Sequence, residues 1–235
     1  MANPAPPLTT GEIWRATVAV LRPDFWTLFA VAAPFTLLVD MALGLFGPDQ
    51  PKTVAEFTPR IVLLLVVLPG FVGAIAQLAV AHMIARPDRS PRTALAIGIA
   101  ALPSYIGAIF LAAFPTGIGF VLLVVPGLYL TARLFLLVPI AVLERLGPVA
   151  LVQRSWVMTK DAGWAISLFL VLAIVFLLAA SLVAQGVGSA LASVLTLLGL
   201  KAVGVFVAAL AMAMLGAAFS IASAAASTII YLKLN

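Results

Sequence analysis

Apolar residues run in long blocks along this chain, broken by short polar stretches, with little two-residue alternation. A helix needs about 20 apolar residues to cross a hydrocarbon core of about 30 Å. Six blocks meet that length, over residues 25–46, 61–85, 93–114, 117–143, 164–184 and 203–232. The ten-residue alternating segments of a membrane β-barrel are not the pattern here. The chain therefore reads as an all-α polytopic membrane protein with six transmembrane helices in a single domain. The last block exceeds what a bilayer requires, which predicts tilt, a kink or extension past the interface. Two shorter segments, 9–21 and 147–159, are amphipathic. In the second, helical spacing separates Leu151, Val152, Trp156 and Val157 from Gln153, Arg154 and Ser155. Both are predicted to lie in the headgroup plane as interfacial helices.

Aromatic and basic anchors reinforce these boundaries. Trp14 and Arg15 fall on the first amphipathic segment, and Arg154 and Trp156 on the second. Trp26 follows Arg22, and Trp164 follows Lys160, at the same four-residue offset just where a span begins. Tryptophan and arginine favour the membrane–water boundary. The parallel suggests three tandem helical hairpins, each led by a short amphipathic segment: TTGEIWRATVAV, SPRTALAIG and GPVALVQRSWVM. Similar interfacial helices arising from shared physics would give the same likeness.

Composition excludes the soluble alternative. Of 235 residues, 64% are hydrophobic and 9% charged, against about 25% charged in an ordinary soluble domain. Disorder requires the opposite bias. The 13 basic residues then set orientation. Arg15, Arg22, Arg86, Arg89, Arg92, Arg145, Arg154, Lys160 and Lys233 fall on one side. Lys52, Arg60 and Lys201 fall on the other, and Arg133 lies within a span. The positive-inside rule predicts both termini in the cytoplasm. The net charge of +5 thus reads as a topology signal, not as affinity for nucleic acid. The N-terminal stretch lacks a basic start, a short apolar region and a cleavage site, so the first span is expected to remain as an uncleaved anchor.

Little chemistry is on offer. Cysteine is absent and His82 is the single histidine, which predicts no disulfide, no thiolate nucleophile and no Cys- or His-based metal centre. HExxH, GxSxG, a P-loop lysine and a GxGxxG leading into a helix are all missing, and no cofactor or catalytic residue is expected. Asp88, with Arg89, sits in a basic loop that reads as a topology signal.

What remains is polar groups at membrane depth. Arg133 lies about 13 Å above the boundary near Val142, from a rise of ~1.5 Å per residue. An arginine there costs at least about 2.5–3.5 kcal/mol on insertion scales unless partnered. Counting likewise, Gln77 falls at about 12 Å, Ser223 at about 13 Å, and Tyr105 and Ser220 at about 18 Å. Gly216, Ser220, Ser223 and Ser227 form one small, polar face. Asp40, the one acid well inside a span, lies about 9 Å nearer the other side than Arg133. The functional reading is an anionic-headgroup site, with Arg133 as cation and Gln77, Tyr105, Ser220 and Ser223 as hydrogen-bonding groups. The structural reading ties Arg133 to carbonyls freed near Pro126 or to Asp40, with Pro126–Gly127 kinking the middle of the span. His82 reads as interfacial.

The run PGLYLTARLFLLVPIAVLERLGPVALVQRSWVMTKDAGW resembles a bacterial inner-membrane family. Its relatives include the membrane domain attached to some glycerophosphodiester phosphodiesterases. The resemblance rests on Pro126, Gly127, Tyr129 and Arg133, then Glu144, Gly147, Arg154, Ser155 and Trp156, ending at Gly163 and Trp164. It covers roughly forty residues. It implies a multi-pass inner-membrane protein linked to lipid or envelope metabolism; the catalytic barrel is missing, so hydrolase activity does not follow. Two functions are compatible with all this. One is a non-catalytic lipid-binding or accessory protein, with membrane phospholipid or a membrane protein as partner. The other is a small transporter or channel with a polar pathway through Asp40 and Arg133, joined by His82.

Overall fold

The computed structural model describes residues 8–48, 51, 53, 56, 58–86 and 90–235. Asp49, Lys52, Asp88 and Arg89 lie outside the described residues. Among those described, the fold is helical throughout: α1 (Thr10–Phe46), α2 (Pro59–Val62), a π-turn (Leu63–Val67), α3 (Leu68–Ala85), α4 (Pro91–Leu122), α5 (Val124–Arg133), α6 (Leu137–Leu143), α7 (Pro148–Met158), α8 (Gly163–Leu197) and α9 (Lys201–Leu234). Six helical stretches are long and apolar enough to cross a membrane, counting Pro59–Ala85 and Val124–Leu143 as one each. The chain is an all-α, multi-pass membrane protein.

Even passage count puts both chain ends at one end of the bundle, together with the last turn of α3, the first turn of α4 and the whole of α7. Packing is tightest there. Ile13, Leu78, Leu136, Ile140, Leu151, Ile166 and Ile230 are fully buried in one core. At the other end Phe46, Val121 and Leu197 are more than 85% exposed, as befits helices that are apolar on every side.

Several boundaries differ from those read in the sequence. The amphipathic segment 9–21 is not separate: α1 runs unbroken for 37 residues, through Pro23 and Pro34. A capping box starts it, with the Thr9 hydroxyl accepting from the Glu12 N–H and the Glu12 carboxylate accepting from the Thr9 N–H. Because its first turns pack on α8, through Thr10 Oγ1 donating to the Ala165 carbonyl and Trp14 against Phe169 and Phe176, tertiary contact carries the helix on without a break where amphipathicity suggests a separate segment. The three-hairpin repeat loses its clearest mark, since α7 alone stands apart as a short lead-in helix.

The third and fourth spans meet at Leu123 rather than near 115, because α4 continues through Pro115 to Leu122. Pro126 consequently sits in the first turn of α5, where its missing N–H costs nothing, and does not kink a span. The break falls later, in a turn over residues 134–136. There the Leu137 N–H bonds the Leu134 carbonyl instead of that of Arg133. At the far end α8 turns into α9 through Gly199, whose φ of +78° suits a residue without Cβ. The Leu200 N–H reaches the Leu195 carbonyl and the Gly199 N–H that of Thr196, a Schellman closure.

Six traverses with the described basic residues Arg15, Arg22, Arg86, Arg92, Arg145, Arg154, Lys160 and Lys233 at the terminal end, and Arg60 and Lys201 at the other, make topology directly testable. Single cysteines introduced at Lys160 and Lys201 are expected to react with a membrane-impermeant maleimide from opposite sides. Labelling of both from one side would overturn the six-traverse arrangement.

Candidate functional site

Arg133 ends α5 and is 4% exposed. Its side chain points away from Gln77, Tyr105, Ser220 and Ser223, toward α7 and α8. Nη2 donates to the Trp156 carbonyl at 2.6 Å. The guanidinium stands over the Trp156 ring at 4.4 Å and by the Tyr129 ring at 6.0 Å, contacts that favour a desolvated cation. Tyr129 in turn packs on Trp164 at 5.1 Å. Gly163 makes room, since a Cβ there would stand 3.0 Å from Tyr129 Cε2 and 3.3 Å from Arg133 Cδ.

The backbone at this point is tied to α7 as well. Ser155 Oγ donates to the Arg133 carbonyl at 2.8 Å, and Thr159 Oγ1 approaches the same oxygen at 3.1 Å. Both hydroxyls are fully buried. They supply the donor that the turn over 134–136 withdraws. Arg133 is therefore a clamp between the broken fourth span and α7. Its tie is to Trp156, not to carbonyls near Pro126 and not to Asp40. Depth counted along a continuous helix does not fix where Arg133 points, because the break over 134–136 turns its side chain off the shared face.

Next to this clamp lies a second polar cluster. Arg154 Nε donates to both Glu144 oxygens at 3.0 Å, and Arg154 Nη2 to Asn235 Oδ1 at 3.0 Å. Tyr231 Oη donates to Glu144 Oε1 at 3.0 Å. The C-terminal end of α9 is thus laced to α6 and α7. Arg154 has a built role beyond that of an interfacial anchor. Glu144 stands out in the sequence only through the family resemblance, which does not disclose its partners, and nothing in the sequence marks Tyr231 or Asn235.

Of the other interfacial residues, Trp26 stands 75% exposed with Phe25 and Phe29 against it, and Trp164 is likewise exposed. Arg15 bonds the Gly11 carbonyl one turn back. Trp14, 46% exposed, rests on Phe169 and Phe176 of α8. His82, read as interfacial, is buried, because the end of α3 sits inside the core.

The remaining polar residues do converge. Gln77 of α3, Tyr105 of α4 and Ser223 of α9 line one cavity of about 290 Å³, together with Thr116, Thr131 and Ser227. Ser220 does not join them. It lines a smaller cavity of about 200 Å³ between α1, α3 and α9, with Asp40, Thr36 and Gly216. Gln77 borders both. Within the described chain, the side chains of Gln77, Tyr105, Ser220, Ser223 and Asp40 make no hydrogen bond or ion pair. Polar groups uncommitted at membrane depth are available to a ligand, and leaving them unmatched in hydrocarbon is costly.

A feature invisible to sequence reading completes the site. Between α1, α8 and α9 runs an apolar groove of about 290 Å³, lined by Trp14, Leu21, Phe25, Phe169, Phe176, Phe219 and their neighbours. Phe135, in the turn over 134–136, and Ser223 line both this groove and the polar cavity. The groove's aromatic residues were indistinguishable in sequence from lipid-facing ones; only their convergence from three helices identifies them. Compared with protein families, curated proteins and solved structures, the chain matches none.

Proposed function

We propose that this is a non-catalytic protein of the bacterial inner membrane that binds an amphiphile, with membrane phospholipid as the ligand at hand. The apolar groove between α1, α8 and α9 takes an acyl chain. The polar cavity of Gln77, Tyr105, Thr131 and Ser223 takes the glycerol and ester region through neutral hydrogen bonds. The observation that carries this reading is the common wall: Phe135 and Ser223 border an apolar and a polar compartment at once. The cavity lining holds no cation, so recognition rests on hydrogen bonds and shape rather than on an arginine–phosphate contact. The basic bias of the terminal end supports cytoplasmic termini, and the resemblance over residues 126–164 supports a place in lipid or envelope metabolism.

The test is native mass spectrometry of the purified protein with copurified phospholipid. Ala222→Trp obstructs the groove and Ser223→Trp obstructs both compartments. Losing contact with two buried methylenes removes about 1.6 kcal/mol, so each variant is expected to retain roughly tenfold less lipid. Arg133→Lys is expected to retain the wild-type lipid complement. Retention unchanged in both tryptophan variants would refute the groove; loss in Arg133→Lys alone would return the headgroup to Arg133.

A second reading, a small transporter or channel, has one observation in its favour. Gln77 borders both the polar cavity and the Asp40 cavity, joining the two polar compartments inside the bundle. Arg133 takes no part in that route.

A further inference from the structure

We infer that the cavity between α1, α3 and α9 is a binding site for a small monovalent cation, an alkali ion or a primary ammonium group, held by the Asp40 carboxylate. Asp40 lies six residues before the end of α1, about 9 Å along the axis, among apolar neighbours. The ion pair of the described residues, Arg154 with Glu144, is at the opposite end of the bundle. Asp40 itself has neither an ion pair nor a hydrogen bond among the described residues. An acid inside a membrane span ordinarily faces the bundle interior and marks a ligand or ion path.

The surroundings suit a cation. Asp40 Oδ2 faces Gly216 of α9, where a Cβ would stand 3.2 Å from that oxygen, so the carboxylate is aimed into the bundle. Neutral oxygens border the same space: the Thr36 hydroxyl, which donates to the Ala32 carbonyl and keeps its lone pairs free, the Ser220 hydroxyl and the Gln77 amide. Gly70 and Gly73 of α3 also line it, and a Cβ at either would meet nothing within 4 Å. Two absent side chains thus keep the space open. One negative charge with neutral oxygens balances one positive charge. A divalent ion draws on more carboxylates, and among the described residues no three acid or histidine groups converge. The volume of about 200 Å³ admits an ion with its water or a short amine, but falls below the range of about 300–1,000 Å³ typical of larger ligands. This site shares Gln77 with the polar cavity of the amphiphile reading but rests on Asp40, which that reading does not use.

The experiment is thermal unfolding of the detergent-solubilised protein at constant ionic strength. N-methylglucamine chloride serves as the bulky reference, against sodium, potassium or ammonium chloride. Binding to the folded state raises Tm by mass action, and a tenfold excess over Kd gives a shift of about 3–5 °C for a chain of this size. Wild type is expected to show that shift with at least one of the three salts; sodium or potassium identifies an alkali site, ammonium alone an amine site. Asp40→Asn, which removes the charge at constant shape, and Gly73→Leu, which fills the cavity and keeps the acid, are each expected to abolish it. No shift in wild type, or a full shift surviving in Asp40→Asn, overturns the proposal. If Asp40→Asn fails to fold, a full shift in Gly73→Leu overturns it equally.

Discussion

Replacing Ser155 with alanine and Thr159 with valine together is expected to lower Tm by about 10 °C, well beyond the sum of the two single losses. The turn over 134–136 leaves the Arg133 carbonyl without its helical donor, and the two buried hydroxyls of α7 both reach it. With Ser155→Ala alone, the Thr159 proton, otherwise shared with the Ser155 carbonyl at 2.7 Å, moves wholly to Arg133. With Thr159→Val alone, Ser155 still donates. Each single change therefore removes one hydrogen bond of about 1 kcal/mol, whereas the double change strands a buried acceptor at a further cost of about 1–3 kcal/mol. At about 2–4 °C per kcal/mol, the double variant falls by about 10 °C and each single by about 3 °C. Thermal unfolding of all four proteins in detergent closes the cycle. Strict additivity would show that the hydroxyls do not share the carbonyl.

Gly119→Leu is expected to be of similar severity. A Cβ at Gly119 would stand 2.8 Å from Leu130 Cδ1, 3.0 Å from Gly127 Cα and 3.1 Å from Gly127 N. Leu130 can rotate aside, but the α5 backbone at Gly127 cannot move without opening the α4–α5 hairpin. Overpacking of this kind costs about 1–3 kcal/mol for side-chain displacement and more when backbone must yield. A fall in Tm of about 10 °C is therefore expected. Gly117, two residues earlier, has nothing within 4 Å of its Cβ position, and Gly117→Leu is expected to leave Tm within about 2 °C of wild type. Thermal unfolding of the pair separates a close helix contact from a general dislike of leucine in this segment; equal effects at both positions would refute the contact.

The two variants bear on what a membrane sequence discloses. Apolar run length suffices for six traverses, because it is a property of each helix taken alone. The junction at Leu123 was not legible. Apolar residues continue from 93 to 143 with little interruption, and Pro115 is a stronger sequence breaker than Leu123, yet tertiary packing carries α4 past it. The candidate site divides in the same way. Gln77 and Ser223 share a depth that the rise per residue discloses, Tyr105 lies about one turn from it, and all three line one cavity. Arg133 has the same depth but another azimuth, since a turn over three residues rotates its helix away. Ser220 and Asp40 form their own compartment on the far side of Gln77. Depth is read from one helix, whereas direction is read only against its neighbours.

The π-turn at Leu63–Val67, where the Leu68 N–H reaches back five residues to Leu63, can be viewed as a phase shifter. An α-helix advances about 100° per residue, and a stretch wound one residue wider per bond offsets everything on one side of it from everything on the other. The stripe of α3 that carries Gly70, Gly73 and Gln77 is consequently out of step with Arg60 in α2, although both belong to one apolar run. A length of chain that looks uniform therefore presents two independent faces, one set by the compartments of the bundle and one by the membrane edge.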